Sequence, residues 1–486
     1  MLRSLSMAIA MASAGMAWAQ TPPASVRTDL VSIYQEAVNN NADLAAARAQ
    51  FRARQELVPQ ARAGLLPNLS GSAYVGDTRT EIDTTAGRQR IDRSAHSYQA
   101  QLSQPLFRAD RWFQLQAAQA TSEQAALQLS ASEQNIILQS AEAYFAVLQA
   151  QDNLAATKAE ESAFQRQFDQ ASERFNVGLS DRTDTLQAQA AYDNARANRL
   201  LAERRVDDAF QALATLTNRS YNSVEGISHE LPILAPVPND ATEWVQTAAR
   251  QNINLQATNF AVTAAEETLR QRRSGHAPTL DAVASYERGD NDALGQSNSA
   301  LNGQNLGGFN VPRYNGDAEQ TSIGLRLTVP IYSGGLTSSQ AREAYQLLDQ
   351  SEQQRESLRR QVVENTRNLH RAVNTDVSQV QARRQTIVSS QSALEATEIG
   401  YQVGTRNIID VLDAQRQLYS AVRDYNNARY DYILDNLRLK QAAGTLSPDD
   451  LQALAAYLMP DYNPDRDFVP KGLSDEAQQH IRANRQ

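Results

Sequence analysis

The sequence predicts an α+β chain made by tandem duplication, each half carrying long helices and two amphipathic strands. Three observations carry that prediction. The stretches RFNVGLSDRTDTLQAQAAYD and GYQVGTRNIIDVLDAQRQLY, from Arg174 and Gly400, place the same Val-Gly pair at Val177-Gly178 and Val403-Gly404, 226 positions apart. Segments without Gly or Pro, rich in Ala, Gln, Glu, Leu and Arg, fill residues 108–177 and again Leu336 to Ile399, and these residue types favour helix. Between the helices of each half the apolar period drops from about 3.6 to 2, the signature of strands.

Other landmarks keep the same order. Pro67 matches Pro278 at an offset of 211 and Pro105 matches Pro330 at 225, so the second half holds an insertion of about fourteen residues between those prolines. The Gly/Asn/Ser-rich stretch from Glu287 to Gln320 is its place and reads as a long exposed loop. The repeats are assigned to residues 20–240 and 241–464, and the polar tail 465–486 reads as disordered.

Composition narrows the class of protein. The N-terminus, MLRSLSMAIAMASAGMAWAQ, joins Arg3 to an apolar run and to Ala17-Trp18-Ala19, which reads as a secretory signal over residues 1–19. After it no run of 18 apolar residues occurs and the mean hydropathy is −0.53, so no helix is read as a membrane span. Cysteine is absent from the 486 residues, which excludes disulfides, thiolate metal sites and a lipid-modified N-terminal Cys. A formal charge of −9, with no basic block interleaved with aromatics, argues against a general nucleic-acid binder.

In chain order, a helix over Leu30 to Gly64 aligns with one over Thr242 to Gly275, sharing Ala37/Ala248, Asn41/Asn252 and Leu44/Leu255. A weak strand follows from Leu69 to Val75, then a clearer one in which Tyr98, Ala100 and Leu102 alternate with Gln99, Gln101 and Ser103. The helix after it is long enough for roughly 100 Å at 1.5 Å per residue. In the second half Leu280, Ala282, Ala284 and Tyr286 alternate with Asp281, Val283 and Ser285, and Ile323, Leu325, Leu327 and Val329 with Ser322, Gly324, Arg326 and Thr328. The last long helix shows a narrow stripe of Val411, Ala414, Leu418, Val422 and Tyr425, suited to coiled-coil-like neighbours.

Four alternating strands in an exported chain fit two architectures: a soluble sheet packed on helices, or part of a membrane β-barrel with a wet interior. The second carries a condition. A lipid-facing sheet can have no open edge and the smallest barrels use about eight strands, so several chains must contribute to one barrel.

The stretch from Tyr401 to Leu446, YQVGTRNIIDVLDAQRQLYSAVRDYNNARYDYILDNLRLKQAAGTL, with its first-half counterpart RFNVGLSDRTD from Arg174 to Asp184, resembles the TolC-type outer-membrane channels of drug efflux and type I secretion. The resemblance runs from about Asp29 to Asp461 and includes the duplication. It implies an α+β membrane protein: a homotrimer whose twelve strands form one β-barrel in outer-membrane lipid, continued by a long periplasmic α-helical barrel. The linker from about Arg219 to Asp240 and the segment after Gly444 would form an equatorial layer. The resemblance further implies a Gram-negative outer membrane, a periplasmic adaptor protein, and an inner-membrane transporter of the RND, ABC or MFS class.

Asp410 and Asp413 sit three apart and project from one face of a helix. The offset of 226 aligns them with Asp184 and Gln187, so only the second half has the pair. Read alone, they are either helix-start carboxylates favoured by the dipole or, in an assembly, rings of negative charge. The resemblance makes them the selectivity gate. It also implies gate ties joining Tyr401 with Asp184, Arg406 with Thr183 and Glu398 with Gln167, and adaptor-docking turns at Val177, Gly178 and Leu179 and at Val403, Gly404 and Thr405.

Catalysis finds no support, because the five histidines are scattered and no HExxH, P-loop or GxSxG occurs. No enzyme activity, cofactor or metal is expected. The function expected is a passive export channel opened by docking. The alternative is a periplasmic coiled-coil scaffold or surface adhesin.

Overall fold

The architecture is that of a computed structural model, which describes residues 28–85, 87–290, 305–306, 309–310 and 317–470. The signal read over residues 1–19 lies outside the described residues. Three helices open the first half: α1 (Leu30–Asn40), α2 (Ala42–Gln55) and α3 (Leu57–Ala63). Strands β1 (Asn68–Thr84) and β2 (Gly87–Phe107) follow, then α4 (Ala109–Asn176) and α5 (Arg182–Thr217). A short β3 (Gly226–Ile227) lies in the linker. The second half runs α6 (Ala241–Gln251), α7 (Ile253–Arg273), β4 (Thr279–Asp290), β5 (Asn305–Leu306), β6 (Phe309–Asn310), β7 (Asp317–Thr328), α8 (Leu336–Gln402) and α9 (Ile408–Ala443). The chain continues through α10 (Pro448–Ala455), β8 (Leu458–Met459) and α11 (Pro464–Asp467).

The single helix expected over Leu30 to Gly64 is broken at Asn41, and its counterpart at Asn252. Both asparagines turn ψ to about 120°, ending one helix, and each side chain then caps the next by accepting from Leu44 N at 2.9 Å or Leu255 N at 3.0 Å. Each also donates to the end of a long helix, Asn41 to Leu216 O at 3.4 Å and Asn252 to Ala442 O at 2.9 Å. The shared Asn is thus a corner that ties a short helix pair to α5 or α9.

The four long strands form one antiparallel sheet in the order β1-β2-β4-β7. Register puts Leu69, Leu102, Ala284 and Ile323 in one row across it, and Ser70, Gln101, Ser285 and Ser322 in the next. Because side chains alternate along a strand, the sheet has one apolar and one polar face. Among the described residues none covers the apolar face at β7: Ile323 is 85% exposed and Leu325 70%. The strands run longer than their apolar stretches, with 17 residues in β1 and 21 in β2.

That extension corrects the ends of the loop expected from Glu287 to Gln320, of which residues 291–304, 307–308 and 311–316 lie outside the described residues. The ladder pairs Glu287 with Gln320 and continues to Asp290 opposite Asp317, and β5 and β6 form a small hairpin beyond it. Polar residues stay in strand here because backbone pairing is satisfied and the side chains pair with each other, as Arg288 does with Asp317 at 3.5 Å.

A belt of buried side chains wraps the middle of the long helices. The linker and the segment after α9 meet where β3 pairs β8, and Val224, Ile227, Leu231, Leu451 and Tyr462 enter one core with Tyr144 and Phe145 of α4 and Tyr430 of α9. Asp152 of α4 sits inside this belt, accepting from Tyr430 Oη at 2.7 Å and from Tyr462 Oη. The polar tail read as disordered from Asp465 is held in place through residue 470, and the rest of it lies outside the described residues: Lys158 Nζ meets Asp465 at 3.3 Å, Asn426 Nδ2 donates to Phe468 O at 2.8 Å, and Phe468 and Val469 pack on the core. These apolar residues and backbone acceptors hold a segment whose composition reads as polar.

The halves are packed unequally. Helix α4 contacts α1, α2, α3 and α5 of its own half and α7 and α9 of the other, whereas α8 packs chiefly on α6, α7 and α9 of its own half.

Candidate functional site at the helix tips

Both long hairpins turn in the same way. Gly178 and Gly404 take φ of +80° and +79°, a left-handed conformation that costs glycine little. Leu179 N then reaches back to Arg174 O at 2.8 Å, and Thr405 N to Gly400 O at 2.8 Å. The side chains left at the rim are apolar and bare: Val177, Leu179 and Val403 are each about 70% exposed. Above them Tyr401, Ile408, Val411 and Leu412 close on Phe164 and Ala195 in a small core that fixes the four helix ends together.

Asp410 and Asp413 lie in the first turns of α9. Asn407 caps this helix and Asp410 completes a capping box: Asp410 N donates to Asn407 Oδ1 at 2.9 Å, and Asn407 N donates to Asp410 Oδ2 at 3.2 Å. Asp413, half-exposed, accepts from Arg416 Nη1 at 2.7 Å. The first-half counterpart differs, since Asp184 Oδ2 accepts from Ser180 Oγ at 2.6 Å and Asp181 is the cap. Arg416 was missed in the sequence, although the Asp-x-x-Arg spacing places both on one helix face.

Of the three expected ties, one chain brings together only the first, and through space. Tyr401 is 8% exposed, and burial raises its phenol pKa while the Arg174 guanidinium, 5.0 Å from the ring centroid, lowers it and the Asp184 carboxylate raises it. Glu398 accepts from Gln415 Nε2 at 3.5 Å instead of meeting Gln167, whose Oε1 is buried without a hydrogen bond. Arg406 and Thr183 are both exposed, and the Arg406 stem lies so close to Gly400 that a Cβ there would come within 2.7 Å of its Cγ. Arg174 was also missed by sequence reasoning; cation–π placement leaves no spacing signal.

Among the described residues no helix is long and apolar enough to cross a membrane, and no group of three His, Cys, Asp or Glu could hold a metal ion. The first statement concerns helices only.

The model of the family described as outer membrane efflux protein matches residues 33–219 and 244–445. The chain belongs to this outer membrane efflux protein family. The two matched segments skip the linker, and each carries one helix tip. Within the family, the chain is 36% identical over 430 residues to Outer membrane protein TolC of Vibrio cholerae, covering 88% of this chain and 94% of that one. It is 28% identical to Alkaline protease secretion protein AprF of Pseudomonas aeruginosa, covering 90% and 89%. The outer membrane efflux protein fold is also that of the Campylobacter jejuni CmeC outer membrane channel, with a TM-score of 0.71, 16% identity and 98% of both chains covered.

Proposed function

We propose that the chain is an outer-membrane export channel for efflux and secretion, acting as a passive homotrimeric duct that extends into the periplasm. One observation carries the assembly: among the described residues β2 and α4 are flanked on both sides, while their repeat equivalents β7 and α8 are flanked on one. A second copy offering β1 to β7 and its first-half helices to α8 would repeat between chains the contacts already made within one. Three copies supply twelve strands, above the roughly eight that the smallest closed barrels need. The bare apolar face then meets lipid and the Ser/Gln face a wet lumen. A water-soluble scaffold or adhesin leaves that apolar face in water, where its burial is worth about 25 cal/mol per Å².

In the trimer, Asp410 and Asp413 would converge from three copies near the helix tips. Carboxylates several ångströms apart repel by about 2–3 kcal/mol at an effective dielectric near 20, and cations relieve that repulsion. The gate ties Glu398–Gln167 and Arg406–Thr183, unmade within one chain, would form between copies. The exposed Val177, Leu179 and Val403 rim, with Gly178, Gly404 and Thr405, would receive a periplasmic adaptor that couples the duct to an inner-membrane transporter.

Single-channel conductance of the purified protein in planar bilayers tests this reading. Small cation-selective openings, blocked by a trivalent cation in the wild type and much less in Asp410→Ala plus Asp413→Ala, are expected; a folded, bilayer-inserted oligomer that conducts nothing would sink the channel, and unchanged block would sink the gate.

A further inference from the structure

The two halves treat one groove differently. In the first half Leu30, at the start of α1, shares a core with Ile137, Ala141 and Phe145 of α4, and the linker fills the space beside them through Val224, Ile227 and Leu231, with Val224 bridging Thr28 in extended form. The offsets relating the halves carry Leu30 to Ala241 and Ile137, Ala141 and Phe145 to Val363, Arg367 and Arg371. Those four residues again line a single groove, of about 600 Å³, between the start of α6 and α8. The segment after α9, which the repeat would lay into it, crosses instead to the first half, where Leu451 and Tyr462 join the core of Leu30.

At Arg367 and Arg371 the lining of the open groove has turned from apolar to cationic. Arg359, Arg360, Arg367 and Arg371 face it against one acid, Glu364, in a chain whose net charge is −9. Glu356 engages Arg359 at 2.7 Å and Arg360 at 2.8 Å, and Arg371 binds Asn368. The Arg367 side chain makes no hydrogen bond or ion pair among the described residues. A guanidinium fork pairs best with a planar carboxylate in a bidentate geometry.

We propose that the α6–α8 groove docks an acidic, extended segment of a partner polypeptide. Its shape follows from its twin, which holds an extended stretch of the chain's own linker; its chemistry follows from Arg367 and Arg371, which stand where the twin has Ala141 and Phe145. Recognition would rest on backbone lying along α8 with alternate carboxylates reaching Arg367 and Arg371. The proposal goes beyond the channel reading and does not depend on it.

The test uses the full-length oligomer in detergent and a fluorescent poly-L-glutamate peptide of about twelve residues, followed by anisotropy, beside Arg367→Glu plus Arg371→Glu and the milder Arg367→Gln plus Arg371→Gln. Saturable binding that weakens with salt is expected, with affinity reduced about tenfold or more by the Glu pair and less by the Gln pair, at unchanged oligomer mass. Absent binding, or equal affinity in both variants, overturns it. So does dissociation of the Glu variant into monomers, which would assign the face to a second copy, or retention of the wild type on purified cell-wall sacculi without peptide binding. Conductance recorded on the same samples separates this outcome from the channel's own, since loss of one leaves the other readable.

Discussion

Asp410 and Asp413 sit one turn apart and answer to different partners. Asp410 holds the Asn407 backbone in a capping box, while Asp413 faces solvent beside Arg416. Asp410→Ala is therefore expected to cost about 1 kcal/mol of stability, and Asp413→Asn almost none, because exposed ion pairs contribute about 0–1 kcal/mol. Thermal unfolding beside bilayer recordings separates the two: Asp413→Asn should weaken trivalent block without lowering Tm, and a matching fall in Tm would mean that Asp413 is structural. A second residue-scale prediction concerns the belt. Burial pushes Asp152 up to about 6 against the hydrogen bonds of Tyr462 and Tyr430 and the Arg429 charge, and burial, with Arg429 beside it, pushes His229 down to about 3. The signs oppose. A raised carboxylate pKa means that stability is lost as pH rises from about 4 to about 6, whereas a depressed histidine pKa means that stability is lost as pH falls from about 6.5 towards 3. Between pH 4 and 6 the two slopes offset, so Asp152→Asn should make the protein newly acid-sensitive and His229→Gln should make it more stable at pH 4.5 than at pH 7. Parallel pH profiles for wild type and both variants would contradict this pairing.

At the scale of elements, the long helices were legible because Gly and Pro are missing from them, and the Val-Gly turns because glycine alone takes φ near +80° cheaply. The helix corners were not legible, since Asn41 and Asn252 resemble ordinary polar helix residues until their side chains are seen capping Leu44 and Leu255. The strand ends were misjudged for a different reason. Apolar alternation stops where an apolar environment stops, but the backbone ladder continues on charge pairs such as Arg79 with Asp92 and Arg88 with Asp83, both at 2.8 Å. Of the site, the acidic pair could be read from spacing, whereas Arg174 stacking on Tyr401 depends on packing between helices remote in sequence. The corners carry a prediction: Asn252→Ala should destabilise by about 1–2 kcal/mol, and Asn41→Ala by less, because its bond to Leu216 O is 3.4 Å against 2.9 Å for Asn252 to Ala442 O. Chemical denaturation midpoints of the two variants decide it, and equal losses would assign the effect to capping alone.

For the whole molecule, the internal repeat predicts how copies meet. Leu102 of β2 lies opposite Ala284 of β4, and the offsets of 225 and 211 carry that pair to Leu327 of β7 and Ala73 of β1. These residues are on opposite edges of one sheet, so only Leu327 with Ala73 of the partner subunit can be neighbours. With no native cysteine to interfere, Leu327→Cys combined with Ala73→Cys should yield covalent trimers on oxidation, and monomers only would refute the repeat-derived register. Such an edge cannot be satisfied by a lone chain, and this shapes inheritance as well as assembly. In the proposed trimer, a cell making both sound chains and chains spoiled at β1 or β7 would build rings from the mixture, and one spoiled member would leave a ring unclosed. Edge mutations should therefore behave as dominant-negative alleles, silencing more ducts than their share of the chains, while mutations in the polar lumen should be recessive.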